Sequence, residues 1–409
     1  MNNILLIHQY AGNKGDRAVL YGLCRVLLTH KKDIRIIVST SNPSLWTGYS
    51  FYTENHIQFI RNSWNFPQKG WWWKILQRFK KYTFTIQREL FLHNLHRFLG
   101  YIFINPEFVK ACKKSDIIIS VGGHHFTTIL SRDLVSSINY DAISTFIINK
   151  PLYCISQSFG PFTFYNKRNK LLTTRILKKA KVLGIRDKES KNELERIGIC
   201  NNLISLPETV ISLNSIIPTY ITPSKRKAII GISVYVTQHR SRIQLESYID
   251  SFSKICNQKI SEGYIVKLFP MELKGTPPDD RWCLEEIINR VDDKDCISII
   301  DNDLETYQHL EQVSTCRVFI GHKTHSVIFS LTTGTPTIAL AYHPKTIDFM
   351  NQFQLREFAF KEEDFNAEDI LDAFSKLEKD IDKIGNHIYK TAKLLCTKFE
   401  KNINGILKQ

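Results

Sequence analysis

At 409 residues, with 43% hydrophobic and 23% charged side chains, the chain has the make-up of a soluble globular protein of about two domains. Nine dispersed cysteines, with no C-x-x-C pair and no cluster with histidine, exclude a disulfide framework and a metal site, and point to reduced thiols in a cytoplasmic setting. The formal charge of +15 calls for anionic partners: phosphorylated substrates or an anionic membrane surface, but not nucleic acid, because no zinc-finger, recognition-helix or RNA-binding aromatic motif is present.

The first apolar run, residues 4–8, is too short for a signal peptide and reads as a strand. Gln9-Tyr10-Ala11-Gly12-Asn13-Lys14-Gly15-Asp16-Arg17 follows it and leads into a helix predicted from about Asp16 to Leu28. Gly12 and Gly15 let backbone N–H groups approach a ligand, and Asp16 is placed to cap the helix. The spacing is neither G-x-G-x-x-G nor a Walker loop, and by itself a capped turn explains it. A strand at 34–39 precedes an insert at 67–102 that breaks the alternation. It holds Trp71-Trp72-Trp73-Lys74 and then Arg78, Lys80 and Lys81, with seven Lys and Arg residues against one acid, Glu89. Rings interleaved with cations suit a bilayer headgroup region, so these residues are predicted to contact an anionic membrane; the bland alternative is a helical hairpin with its tryptophans in a core.

Three further predicted strands, 116–121, 152–157 and 182–186, end in polar clusters. Ser120-Val121-Gly122-Gly123-His124-His125 permits close approach of a ligand, or simply a tight turn. Gln157-Ser158-Phe159-Gly160-Pro161-Phe162 would present the Gln157 amide, or use it to order its loop. Arg186 ends the third strand, with Asp187 capping the next helix; it suits a carboxylate or phosphate, or a salt bridge to Asp187 or Glu189. After a strand at 203–206, the turn-rich stretch 216–227 reads as a linker. Strands at 228–235, 264–269, 297–301, 317–321 and 337–341 follow, separated by helices such as 244–260 and 280–290, with a polar cluster at Gln238-His239-Arg240. The prediction is an α/β protein: a Rossmann-like domain over 1–218, a second over 226–363, parallel sheets facing across a cleft, and helices over 364–409 packing back on the first.

The run from Cys316 to Lys345 carries the clearest chemical signal. It reads as strand, tight turn, helix from Thr324 or His325, glycine stop at Gly334, and strand. Two parallel strands end on one sheet edge, so Lys323 and His325 share that edge with Tyr342 and Lys345. A helix N-terminus attracts anions and disfavours imidazolium, which makes His325 a proton acceptor beside an anion site. Caps and solvated lysines would explain each residue alone; their convergence favours a site.

Taken in order, these motifs resemble the polysaccharide pyruvyl transferase family. The resemblance rests on Asn13-Lys14-Gly15-Asp16-Arg17-Ala18, Val121-Gly122-Gly123, Gln157–Phe162 and Arg186–Ser190. It rests above all on Lys323-Thr324-His325-Ser326, Gly334-Thr335-Pro336 and Tyr342-His343-Pro344-Lys345. It implies a GT-B-like fold, no cofactor, phosphoenolpyruvate as donor substrate, and a hexose hydroxyl pair of a lipid-linked or nucleotide-linked saccharide as acceptor. The product would be a cyclic pyruvate ketal on a surface polysaccharide. The resemblance places the donor at Arg186, Lys323, His325, Ser326 and Lys345, with catalysis by His325, Lys345 and Tyr342. The acceptor would meet Asn13, Gly15, Asp16, Arg17, Gly122, Gly123, His124 and Gln157. Lys323 stands where arginine is common, and Glu208-Thr209 replaces an aspartate. With the basic aromatic insert, these expectations put the enzyme at the inner face of the cytoplasmic membrane. A nucleotide-sugar glycosyltransferase and a non-catalytic membrane- or glycan-binding protein are the rival readings.

Overall fold

A computed structural model describes residues 3–10, 12–30, 33–66, 70–95, 100–129, 136–217, 219–236, 241–276, 279–300 and 303–408. Gln238, His239 and Arg240, and Arg97 of the insert, lie outside these residues. The chain divides into two compact units, one of Met1–Ala11, Val19–Thr209 and Phe399–Gln409, the other of Gly12–Ala18 and Val210–Lys398.

The first unit is built on strands β1 (Asn3–Gln9), β2 (Arg35–Thr40), β3 (Gln58–Arg61), β4 (Ile117–Ser120), β5 (Gly123–Phe126), β6 (Leu152–Phe159), β7 (Val182–Ile185) and β8 (Leu203–Ser205). They run in the order β3-β2-β1-β4-β6-β7-β8, with β5 beside β6, and every described pairing is parallel. Ile4-Leu5-Leu6-Ile7 and Ile117-Ile118-Ile119 are buried throughout, as strands covered by helices on both faces must be. The strand order reverses between β1 and β4, which opens a crevice at their carboxyl ends. Two strands bulge as they reach that edge. The register shifts after Leu6 in β1 and after Cys154 in β6, where His8 (φ 66°) and Ser156 (φ 48°) take left-handed backbone.

The second unit is a sheet of β9 (Ile229–Ser233), β10 (Ile265–Leu268), β11 (Ile297–Ile299), β12 (Val318–Gly321), β13 (Thr337–Ala341) and β14 (Ala359–Lys361). Its order is β11-β10-β9-β12-β13-β14, again parallel, with the reversal between β9 and β12. The helix Thr324–Thr332 follows β12 and stops at Gly334, whose φ of 70° is the left-handed position that glycine serves. A Cβ there would also lie 2.7 Å from the Tyr220 ring. The closing helices are Ala367–Lys379 and Ile381–Leu407.

Some elements depart from the sequence reading. The stretch read as a linker is anchored: buried Arg226 donates to the carbonyls of Ile221 (2.9 Å) and Cys316 (2.8 Å) and to Thr335 Oγ1 (2.7 Å). The first helix begins at Lys14, two residues earlier than predicted, because Asn13 rather than Asp16 caps it. Asn13 Oδ1 accepts from Asp16 N (2.7 Å) while its amide donates to the Asp16 carboxylate (2.7 Å). β3, β5 and β14 were not anticipated. They are short and pair only with distant segments.

Asp141 is one of the buried carboxylates of the first unit. Asp141, on the helix Ser136–Ile147, is almost wholly enclosed and accepts from the Ser63 backbone N–H (3.0 Å) and hydroxyl. Burial raises its pKa to about 7 against the opposing Ser63 hydrogen bonds. The folded carboxyl thus keeps its proton to about pH 7, whereas the unfolded one releases it near 3.8. The associated stability is complete below that lower value and lost as pH rises through about 7; the shift corresponds to up to ~4 kcal/mol. Urea unfolding of Asp141→Asn followed from about pH 3.5 to 8 should show a flatter decline than the wild type, converging on it at the acid end.

Candidate active site

The carboxyl ends of β9 and β12 flank the reversal of the second sheet, and the turn His322-Lys323-Thr324-His325 leaves from there. Lys323 holds extended backbone at the N-cap position (φ −70°, ψ 135°) before the helix begins. The turn is fixed from beneath. Ser326 is fully buried, its Oγ donating to the Lys323 carbonyl (2.7 Å) and accepting from Ser233 Oγ at the end of β9. Ser326, expected to touch the donor, has its hydroxyl committed to holding the turn.

The segment Gly12–Ala18 belongs to this unit, so Asn13, Gly15, Asp16 and Arg17 share a unit with His325. Lys14 N donates to the Met271 carbonyl (2.9 Å), Leu273 N to that of Gly12 (3.3 Å), and Asn13 forms an isolated antiparallel bridge with Glu272. Gly15 then meets the imidazole so closely that a Cβ would lie 2.2 Å from His325 Nδ1. This is why the position takes glycine: any side chain there would meet the ring.

Three groups surround the Lys323 ammonium. It lies 2.6 Å from Glu272, 3.4 Å from Asp280 and 5.2 Å from the centre of the Tyr235 ring. Burial raises the Glu272 pKa, and Asp280 and Asp16 add to the rise while Lys323 opposes it. Two carboxylates around one ammonium leave Glu272 disposed to take up a proton.

Tyr342 follows β13 and packs on Tyr235 with ring centres 4.4 Å apart. The residue is 39% exposed, but its hydroxyl is enclosed. Burial pushes its pKa to about 12, opposed by the Thr324 hydrogen bond and aided by Tyr235, Asp16 and Glu272. It therefore stays a phenol and serves as a hydrogen-bond donor rather than a base. Lys345 is buried in the first turn of the helix Pro344–Gln352, whose N-cap His343 accepts from the Lys345 backbone N–H (3.2 Å). Thr324 and Thr346 tie the two helix starts together (2.8 Å). Beneath them, His322 bonds Tyr248 Oη (2.6 Å) and lies 3.4 Å from Glu362. Lys323, His325, Tyr342 and Lys345 thus fall on one sheet edge as predicted. Glu272, Asp280, Tyr235 and His322 join them without an obvious sequence signal.

The first unit carries the other predicted residues. Gly122 is hemmed in by Thr209, Val19 and Ser156, so its missing side chain permits packing. Gly123 starts β5, where a Cβ would lie 2.3 Å from the His125 ring, and half-buried His124 bonds the Gly160 carbonyl. Gln157 is fully buried. Its amide Nε2 lies within hydrogen-bonding distance of Ser120 O (3.2 Å), Ser120 Oγ (3.0 Å) and Val121 O, and so orders the end of β4. The bulge in β1 brings His8 to this cluster, with Nδ1 2.8 Å from Ser120 Oγ and its ring 5.8 Å from that of His125. Neither His8 nor His125 was singled out as a site residue from sequence.

Arg186 is paired with Glu208, which is fully buried, and Nε donates to Ser158 (2.8 Å). The salt-bridge partner is Glu208, not Asp187 or Glu189. Asp187 caps the helix Lys188–Arg196 as predicted, accepting from Ser190 N (2.8 Å). Burial raises its pKa, but hydrogen bonds from Ser158 and Ser190 and the Arg186 charge outweigh this and hold it below the ordinary value.

In the insert, the helices Trp71–Arg78 and Lys80–Leu92 turn Leu76, Thr83, Gln87 and Phe91 inward and leave Trp71 (74%), Trp72, Ile75, Phe79, Tyr82 and Ile86 exposed. Trp71 and Trp72 are not core residues; the Trp73 side chain lies outside the described residues. Lys74, Arg78 and Lys81 are exposed. Lys80 departs from the prediction. Its ammonium sits 3.3 Å from the centre of the Trp64 ring, and burial lowers its pKa. No described helix is long and apolar enough to cross a membrane.

Two parallel α/β units with polar groups gathered at their strand reversals define a protein of the GT-B-like class. Known folds agree. The UDP-GlcNAc 2-epimerase of Neisseria meningitidis bound to UDP-GlcNAc superposes with a TM-score of 0.58 at 12% identity, over 98% of this chain and 100% of that one. HepE of Anabaena in complex with UDP and glucose does so at 0.59 and 13%, over 100% of both chains. The sequence profile of polysaccharide pyruvyl transferases matches residues 13–344, and the chain belongs to that family. It is also 24% identical over 380 residues to the amylovoran biosynthesis protein AmsJ of Erwinia amylovora, covering 88% of each.

Two substitutions test these assignments. Gly15→Ala should force the helix start off His325 and destabilise the protein by ~1–3 kcal/mol in urea unfolding. Glu208→Ala, which strands the Arg186 charge, should cost ~3–5 kcal/mol, with a matching fall in melting temperature.

Proposed function

We propose that the chain transfers the enolpyruvyl group of phosphoenolpyruvate onto two hydroxyls of a hexose in a lipid-linked or nucleotide-linked glycan intermediate. The product is a cyclic pyruvate ketal of a surface polysaccharide. Family membership and similarity to an amylovoran biosynthesis protein support the reaction class. The observation that carries the reading is the meeting of Lys323, His325, Glu272, Tyr342 and Lys345 at the strand ends of the second sheet.

The donor carries a carboxylate and a phosphate. Lys323 and Lys345, with the N-terminus of the helix Thr324–Thr332, hold these anions, and the Tyr342 phenol donates a further hydrogen bond. The charge of Arg186 in the first unit is already offset by Glu208. The reaction adds one proton to the donor methylene, forms two C2–O bonds to sugar oxygens and breaks the C2–O bond to phosphate. Of the two hydroxyl protons, one balances the new methyl group and the other leaves with phosphate. His325 takes the proton from an attacking hydroxyl. Glu272, whose pKa is already raised, rises further when a polyanion displaces it from Lys323 and delivers the proton to the methylene. Gly122, Gly123 and His124, at strand ends of the first sheet, are assigned to binding the acceptor hexose. Exposed Trp71, Trp72, Lys74, Arg78 and Lys81 seat the enzyme on the inner face of the cytoplasmic membrane.

Incubation with phosphoenolpyruvate and lipid-linked saccharides should release inorganic phosphate and add one pyruvyl ketal to the product mass. Release of nucleotide from a sugar nucleotide instead would identify a glycosyltransferase, and turnover of neither donor a non-catalytic binder. His325→Ala should lower kcat ~10²–10⁴-fold at unchanged donor affinity, and near-normal turnover would remove His325 from its role. Glu272→Gln should lower kcat while retaining donor binding, as measured by calorimetry.

A further inference from the structure

The first sheet carries, at the carboxyl ends of β2 and β3, a cavity of about 800 Å³ that the ketal chemistry leaves unused. That volume lies within the range of small-molecule sites, ~300–1,000 Å³. Ser41 leaves β2, Arg61 ends β3, Phe66 forms an apolar wall, and Lys74 and Arg78 project from the helix Trp71–Arg78. Lys74 and Arg78 stand four residues apart and so share one helix face. The frame is tied together: Asn65 Nδ2 donates to the Ser41 carbonyl (2.9 Å), and Phe66 N to Gln77 Oε1 (3.2 Å). Three cations and no carboxylate occur among its described lining residues. Such a cavity suits a ligand with more than one negative charge, and two guanidinium forks match phosphate oxygens in pairs.

The same helix shows solvent its large apolar side chains, Trp71, Trp72 and Ile75, and the next helix adds Tyr82 and Ile86. An occupant that satisfies both the cations and the neighbouring apolar side chains has a diphosphate for the cavity and a hydrocarbon tail for the interface beyond it. β2 and β3 lie two and three strands from β4, ~10–14 Å at the usual strand spacing. A glycan attached to that diphosphate could extend along the sheet edge toward Gly122 and His124.

We propose that this cavity binds the diphosphate of a polyprenyl-diphosphate-linked saccharide, with Arg61, Lys74 and Arg78 as its ligands. The inference rests on the reading of the acceptor as lipid-linked and specifies where its carrier is held.

The test uses the full chain with geranyl diphosphate, geraniol and UDP as probes in titration calorimetry. Geranyl diphosphate should bind more tightly than either of the others. The double variant R61Q/R78Q should weaken it by about tenfold or more, the equivalent of losing charge-assisted contacts, at an unchanged melting temperature. R61K/R78K should recover part of the loss. W71S/W72S should reduce partitioning onto phosphatidylcholine/phosphatidylglycerol vesicles while leaving geranyl diphosphate binding in solution intact. UDP binding as tight as geranyl diphosphate, or R61Q/R78Q binding like the wild type, would overturn the proposal. Lost diphosphate binding together with absence of phosphoenolpyruvate turnover on any saccharide would sustain the cavity and sink the ketal reading. Normal turnover of a prenyl-diphosphate-linked saccharide by R61Q/R78Q would do the reverse.

Discussion

The site depends on a turn that is immobilised before any substrate reaches it. Ser326 pins the Lys323 carbonyl from inside the helix, Ser233 pins Ser326 from the neighbouring strand, and Gly15 closes on the His325 ring. A helix N-terminus attracts an anion wherever it occurs, but it can orient one only when its first turn has a single geometry. The buried hydroxyls and the missing side chain at Gly15 supply that geometry, and they use none of the groups left to meet the donor.

Charge is arranged with similar economy. A net +15 spread over the surface would attract many anions indiscriminately. Where chemistry is proposed, the cations are instead held by carboxylates: Lys323 by Glu272 and Asp280, Arg186 by Glu208. In the second unit this makes Glu272 responsive, since an arriving phosphate competes with it for Lys323 and leaves it better able to hold a proton. In the first unit the Arg186–Glu208 pair is enclosed more completely and acts as a strut beneath the sheet edge.

What could be read from sequence follows a physical divide. β13 matched to the residue, and the helix after β12 began where its polar-to-apolar switch indicated, because those signals are local. Lys323, His325, Tyr342 and Lys345 were visible because parallel strands put their carboxyl ends on one edge. Glu272 was not. It lies in Pro270-Met271-Glu272-Leu273, a stretch without periodicity, and reaches Lys323 because Asn13, more than 250 residues away in sequence, pairs with it. His8 was missed for a related reason: simple strand alternation does not foresee a bulge that brings it to Ser120. Gln157 was legible as a polar strand end, but its hold on Ser120 and Val121 depends on distances that strand alternation does not give.

The central claim is that the donor's anions are held at the strand ends of the second sheet, by Lys323 and Lys345. Titration calorimetry of phosphoenolpyruvate against the wild type, Lys323→Ala and Lys345→Ala tests it most directly. The account predicts that each lysine variant weakens binding by about tenfold or more, with a cooperative melting transition showing that the variant still folds. Affinity equal to the wild type in both variants would contradict it.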